Sequence, residues 1–101
     1  MTRVTTTIKR VWLDKILAHT KKIEYREIKP YWTKRLKNIE VPFELRLING
    51  MSKRAPECTL LIKKVDIGFQ PILSDDEEAT SLEEGAVYRL HIGKILAKKN
   101  V

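Results

Sequence analysis

Cysteine occurs once in this sequence of 101 residues, at Cys58, which excludes an internal disulfide and any cysteine-rich metal centre. No apolar run approaches the roughly 20 residues of a membrane-spanning helix. The basic opening MTRVTTTIKR is not followed by an apolar segment, so no secretion signal is expected. Neither a GxxxxGKS nor a GxGxxG phosphate loop is present, and no motif calls for a cofactor. The two histidines, His19 and His91, lie far apart with no Cys, Asp or Glu at ligand spacing, so a zinc site is not expected. His91 reads as a structural strand residue and His19 as a helix-end residue favoured by the helix dipole. The DDEE run at 75–78 lacks the alternating ligands and the glycine of a calcium loop and reads as a solvated loop. There is no repeat, low-complexity tail or linker, and the length fits a single domain, 1–101, with one small core. With its lone thiol, the chain suits a reducing, cytoplasmic setting.

Hydrophobic residues at 43% and charged residues at 33% describe a globular protein that needs no membrane partner. The charge is unevenly spread. Residues 1–64 carry 16 basic and 6 acidic side chains, whereas residues 66–88 carry 7 acidic and no basic ones. The net charge is +7. Clustered lysine and arginine gain from displacing counterions, which favours an anionic partner with nucleic acid first. The same lysines also serve solubility. The pattern implies no particular oligomeric state.

Along the chain, TTTIKRV is β-branched and predicts a short strand. WLDKILAHT places Leu13, Ile16, Leu17 and Thr20 at helical spacing and predicts a helix of two to three turns. KIEYREI (22–28) sets Lys22, Glu24 and Arg26 against Ile23 and Tyr25, as a strand with one polar face would. Pro30 ends that strand, and YWTKRLKN is a connection or short helix. PFELRLING alternates Phe43, Leu45 and Leu47 with Glu44 and Arg46 before the Asn49-Gly50 turn signal. MSKRAPE follows as a basic loop. ECTLLIKKVDIGF is the best strand, QPILSDDEEATSLEEG an acidic loop around a short helix, and AVYRLHIGKIL a closing strand. A strand–helix–strand start followed by short strands predicts an α+β fold: a mostly antiparallel, partly closed β-barrel with one N-terminal helix beside it.

The stretch KKIEYREIKPYW (21–32) is the main candidate site. On a strand, Glu24 and Arg26 point the same way, with Lys21 or Lys22 at the mouth. Such a trio can hold a nucleobase edge and a phosphate, because arginine offers a planar fork and glutamate accepts from an amine. Lys21 and Glu24 also suit base and electrophile in a hydrolysis. Equally, the spacing suits an ion-pair row on a solvated strand face. Tyr31 and Trp32 beside the basic patch suit base stacking, although Trp32 suits a core role as well, and Trp12 reads as core. Arg46, Asn49, Ser52, Lys53 and Arg54 gather at one strand end and its loop and form a candidate second wall. Cys58 at a strand start reads as a packing residue.

WLDKILAHTKKIEYRE resembles the signature of the ASCH domains, a helix ending in Gly-x-Lys-Thr-x-Glu-x-Arg that enters a strand. Lys21, Glu24 and Arg26 occupy the Lys, Glu and Arg positions. His19 stands in place of the glycine and Lys22 in place of the threonine. ASCH domains are similar to PUA domains, and the resemblance implies a small PUA-like barrel with a cleft beside the first helix. It implies binding of RNA, a nucleotide or a modified nucleoside, with Lys21, Lys22, Glu24, Tyr25 and Arg26 around the cleft. Some members are amidohydrolases on N4-acetylated cytidine and others ribonucleases. Glu24 occupies the place of the amidohydrolase threonine nucleophile, so that mechanism is not carried over. Lys21, Tyr25 and Lys53 are the candidates beside a scissile phosphate.

Overall fold

The computed structural model describes residues 1–69 and 86–101, and the expected acidic loop and short helix of 70–85 lie outside the described residues. The chain runs β1 (Arg3–Thr7), α1 (Arg10–Leu17), β2 (Ile23–Glu27), α2 (Pro30–Leu36), β3 (Phe43–Ile48), β4 (Glu57–Phe69) and β5 (Ala86–Lys99). No described helix is long and apolar enough to cross a membrane.

Alternation decides β3. Phe43, Leu45 and Leu47 are fully buried, while Glu44, Arg46 and Ile48 between them are half-buried. Opposite them in antiparallel register stand Ile62, Leu60 and Cys58 of β4, also buried, so the two strands present one continuous apolar face. An eight-residue helix is marginal alone. The stripe of Trp12, Leu13 and Ile16 packed into that face therefore stabilises α1 more than the exposed Arg10–Asp14 pair at 2.9 Å, worth about 0.3–0.5 kcal/mol. α2 begins with Pro30, preceded by an extended Lys29, and buries Trp32. YWTKRLKN thus takes the short-helix alternative, which adds a second helix to the N-terminal one of the expected fold.

The strand order is β1-β3-β4-β5-β2, with β1 parallel to β3 and every other pair antiparallel. This corrects the barrel expectation: the sheet is mixed and open, and no ladder joins β1 to β2. The register of β4 with β5 shifts between Thr59/Leu60, Leu61/Ile62 and Ile62/Lys64, irregularities that bend and coil the two long strands. The curl brings the two edges to side-chain reach, where the Arg26 guanidinium donates to the Thr7 carbonyl at 3.0 Å. Backbone pairing needs strands about 4.8 Å apart. The buried stripe of α1 joins the core cluster with the apolar side chains of β3, β4 and β5, so a helix covers the core of an open sheet.

Candidate functional site

Lys21, Glu24 and Arg26 converge. Glu24 Oε1 lies 3.4 Å from the Lys21 ammonium and Oε2 lies 2.5 Å from Arg26 Nη2. The three side chains are 8%, 5% and 18% exposed, so the polar side of β2 is its inward side. Aromatic rings frame both cations. Lys21 Nζ lies 4.6 Å from the Trp12 ring centre and 4.8 Å from that of Tyr25, and Arg26 lies 5.3 Å from that of Trp32. Cations over aromatic faces gain about 0.5–2 kcal/mol each, more when desolvated. Arg26 Nε is buried with no hydrogen-bond partner among the described residues.

The end of α1 delivers Lys21 to this position. His19 adopts φ 61°, the left-handed region that glycine enters freely, and its N–H donates to the Ile16 carbonyl at 3.0 Å. The backbone N–H groups of Thr20 and Lys21 and the Thr20 hydroxyl then all donate to the Lys15 carbonyl. The helix is thus terminated within one turn, and Ile92 N–H donates to Lys22 O at 2.9 Å to start the β2–β5 contact.

Next to this junction is a cavity of about 260 Å³, lined by Ile16, His19, Lys21 and Lys22 on one side and Ile92, Gly93, Lys94 and Ile95 on the other. It opens where β5 runs on past its last residue paired with β2, His91. Lys22 and Lys94 are exposed, whereas Lys21 is held in place by Glu24 and the two rings. Lys21 therefore links the buried triad to the cavity.

The predicted second wall does not line this cavity. Arg46 makes a two-pronged bond to Glu57, at 2.9 Å on each arm. The hydrogen bonds from Arg46 hold the Glu57 carboxyl below its ordinary range, and Arg46 is raised in turn. Asn49 donates to the Ile8 carbonyl at 2.8 Å and ties the β3–β4 loop to the end of β1. Ser52 Oγ accepts from the Arg54 N–H at 3.2 Å, while the side chains of Lys53 and Arg54 are exposed. This loop stands near Thr7 and the Arg26 end of the triad, and the cavity lies at the Lys21 end. Trp32 is 7% exposed and packs under Arg26, so it belongs to the core. Tyr31 stays on the surface with Arg35 stacked 3.6 Å from its ring centre.

Sequence reading did not bring in the β5 wall. Its signal is Gly93 inside an otherwise regular strand pattern, which marks a bulge or a close approach. A Cβ at Gly93 would stand 3.3 Å from the Leu61 carbonyl oxygen. A second polar group, on the other side of the sheet, was also missed. Asp66 accepts both prongs of Arg89, at 2.7 and 3.0 Å, and pairs with His91 at 3.1 Å. The bonds from Arg89, with a smaller contribution from His91, hold the Asp66 carboxyl down to about 2. Beside Arg89, burial raises the Tyr25 phenol. Burial also pushes the Cys58 thiol up to about 11, so it stays protonated and inert as a nucleophile. Among the described residues no three His, Cys, Asp or Glu side chains gather as metal ligands.

Comparison of the chain with protein-family models, curated proteins and solved structures finds no match. The functional reading therefore rests on the chemistry of the cavity and its supporting triad.

Proposed function

We propose that this chain is an RNA- or nucleotide-binding domain of the ASCH type, acting in the cytoplasm, with the cavity beside α1 as its ligand site. The observation that carries this reading is the placement of Lys21, Lys22 and Lys94 around one small cavity. Lysines are compact point charges that bind phosphate without demanding one geometry. Ile16, Ile92 and Ile95 supply apolar walls for a ribose or a base. Lys21 is pre-positioned by Glu24, which Arg26 holds in turn, so little side-chain entropy is lost when a ligand arrives.

Binding without turnover is the form this takes. A general base or nucleophile at Glu24 would have to leave two cations, since each of its oxygens already has one. The amidohydrolase reading also lacks its threonine at that position.

Fluorescence anisotropy with a labelled single-stranded RNA tests the reading. The logarithm of affinity should fall linearly with the logarithm of salt, by about 0.7 per phosphate engaged. Lys22→Ala with Lys94→Ala should weaken binding and reduce that slope by about 1–2. Affinity that ignores salt, or a double variant that binds like the parent, would remove the cavity from the interface.

A further inference from the structure

We infer that the far half of β5 is a docking edge for an acidic, extended peptide segment of a partner protein, which adds to the sheet as a strand in line with β2. This goes beyond the nucleotide-binding reading and does not depend on it. The pairing pattern is the first argument. β2 pairs with β5 only as far as His91, and the bond from Ile92 N–H to Lys22 O ends the contact. On its other side β5 stays paired with β4 to Lys99. Among the described residues, 93–99 therefore have no strand on their β2 side. A strand directs alternate N–H and C=O groups to each side. Residues 94–99 thus offer main-chain donors and acceptors along roughly 20 Å, at about 3.3 Å per residue. An extended peptide answers both kinds of group, whereas phosphate oxygens only accept. Asn100 donates to the Ala55 carbonyl at 3.3 Å, which ties the residue after β5 to the β3–β4 loop, on the side away from the open edge.

Charge is the second argument. Lys94, Lys98 and Lys99 are exposed, and residues 86–101 contain no Asp or Glu. Glu57 stands opposite Lys99 in the ladder, but Arg46 holds both of its oxygens. A second copy of this chain adding to the same edge would set lysine against lysine, and like charges across a strand pair are destabilising. Opposite charges there are stabilising. The charge that keeps the edge from pairing with itself therefore selects an acidic strand. Leu96, 42% exposed between the lysines, gives such a strand an apolar contact. The overhang of β4 past Ile62, its last residue paired with β3, mixes Lys63 and Lys64 with Asp66 and lacks this single sign.

The test uses a labelled peptide that alternates glutamate with valine, its counterpart with lysine for glutamate, and the acidic peptide with every backbone nitrogen methylated. Fluorescence anisotropy measures affinity, and amide exchange followed by NMR locates the bound peptide. The acidic peptide should bind about tenfold more tightly than either control, or better. It should also slow exchange of the outward amides in residues 94–99. Lys98→Glu with Lys99→Glu lies outside the cavity lining and should reverse the preference between acidic and basic peptides, with the thermal midpoint unmoved. Lys53→Glu with Arg54→Glu makes the same change in net charge elsewhere and should keep the preference for the acidic peptide. Equal binding of the methylated peptide would mean loose attraction to a basic surface and overturns the inference. Single-stranded RNA slowing the same amides as well as the peptide does would give the edge to nucleic acid, and overturns it too. So does a concentration-dependent dimer that protects these amides without peptide, which would give the edge to a second copy.

Discussion

Arg26 on β2 reaches the carbonyl of Thr7 on β1, 3.0 Å away, although these strands are the two opposite edges of the sheet. The same guanidinium holds Glu24, which holds Lys21 at the cavity. One arginine therefore serves the closure of the core and the placement of the candidate ligand lysine.

Glu24→Gln should for that reason destabilise the fold. It leaves two buried cations facing each other without their shared anion. Removing one partner of a buried pair costs about 3–5 kcal/mol. In a domain of this size that lowers the thermal midpoint by more than about 10 °C. Thermal unfolding followed by circular dichroism measures it. An unchanged midpoint would show the triad to be solvated and without structural weight.

Neighbouring leucines on β4 test the register. Leu60 is fully buried, whereas Leu61, one residue on, is half-buried and lies outside the core cluster. Leu60→Ala should cost about 2–5 kcal/mol, the usual range for a buried leucine. Leu61→Ala should cost clearly less in the same denaturant titration. Equal losses would mean that the strand is offset by one residue.

Acid sensitivity should trace to Asp66. Its carboxyl is held down to about 2 against an ordinary 3.8, first by the hydrogen bonds from Arg89. The native state thus binds fewer protons here than the unfolded chain does. The stabilisation is complete above about pH 4 and is lost as pH falls through about 2. Asp66→Asn should flatten the decline of the denaturant midpoint between pH 4 and pH 2. Superimposable acid limbs for the two proteins would assign the decline to other carboxylates.

Local features were the legible part of this molecule. The alternation of Phe43, Leu45 and Leu47 placed β3 and its core face, and ECTLLIKKVDIGF is β4 from end to end. The same period of two put Glu24 and Arg26 on one side of β2. Its usual corollary, that the charged side faces water, fails there, because Lys21 and Arg26 neutralise Glu24 and aromatic rings shield them. The parallel pairing of β1 with β3 joins residues 41 apart in sequence, and no local pattern encodes such a pairing. The β5 wall of the cavity was hidden for a similar reason. Lys94 meets Lys21 and Lys22 through the end of a ladder, and sequence distance gives no hint of where a ladder ends.

The open seam between β1 and β2 also decides where this fold is vulnerable. A backbone ladder uses main-chain groups, so proline aside its hydrogen bonds survive most substitutions along a barrel's joints. Here the joint is written in side chains: a guanidinium, the ring of Trp32 beneath it and the apolar stripe of α1. A single exchange at Arg26 would act on the joint as a cut acts on a clasp, and amide exchange in β1 and β2 should speed up together although no backbone ladder joins them and the one bond lost is a side chain's.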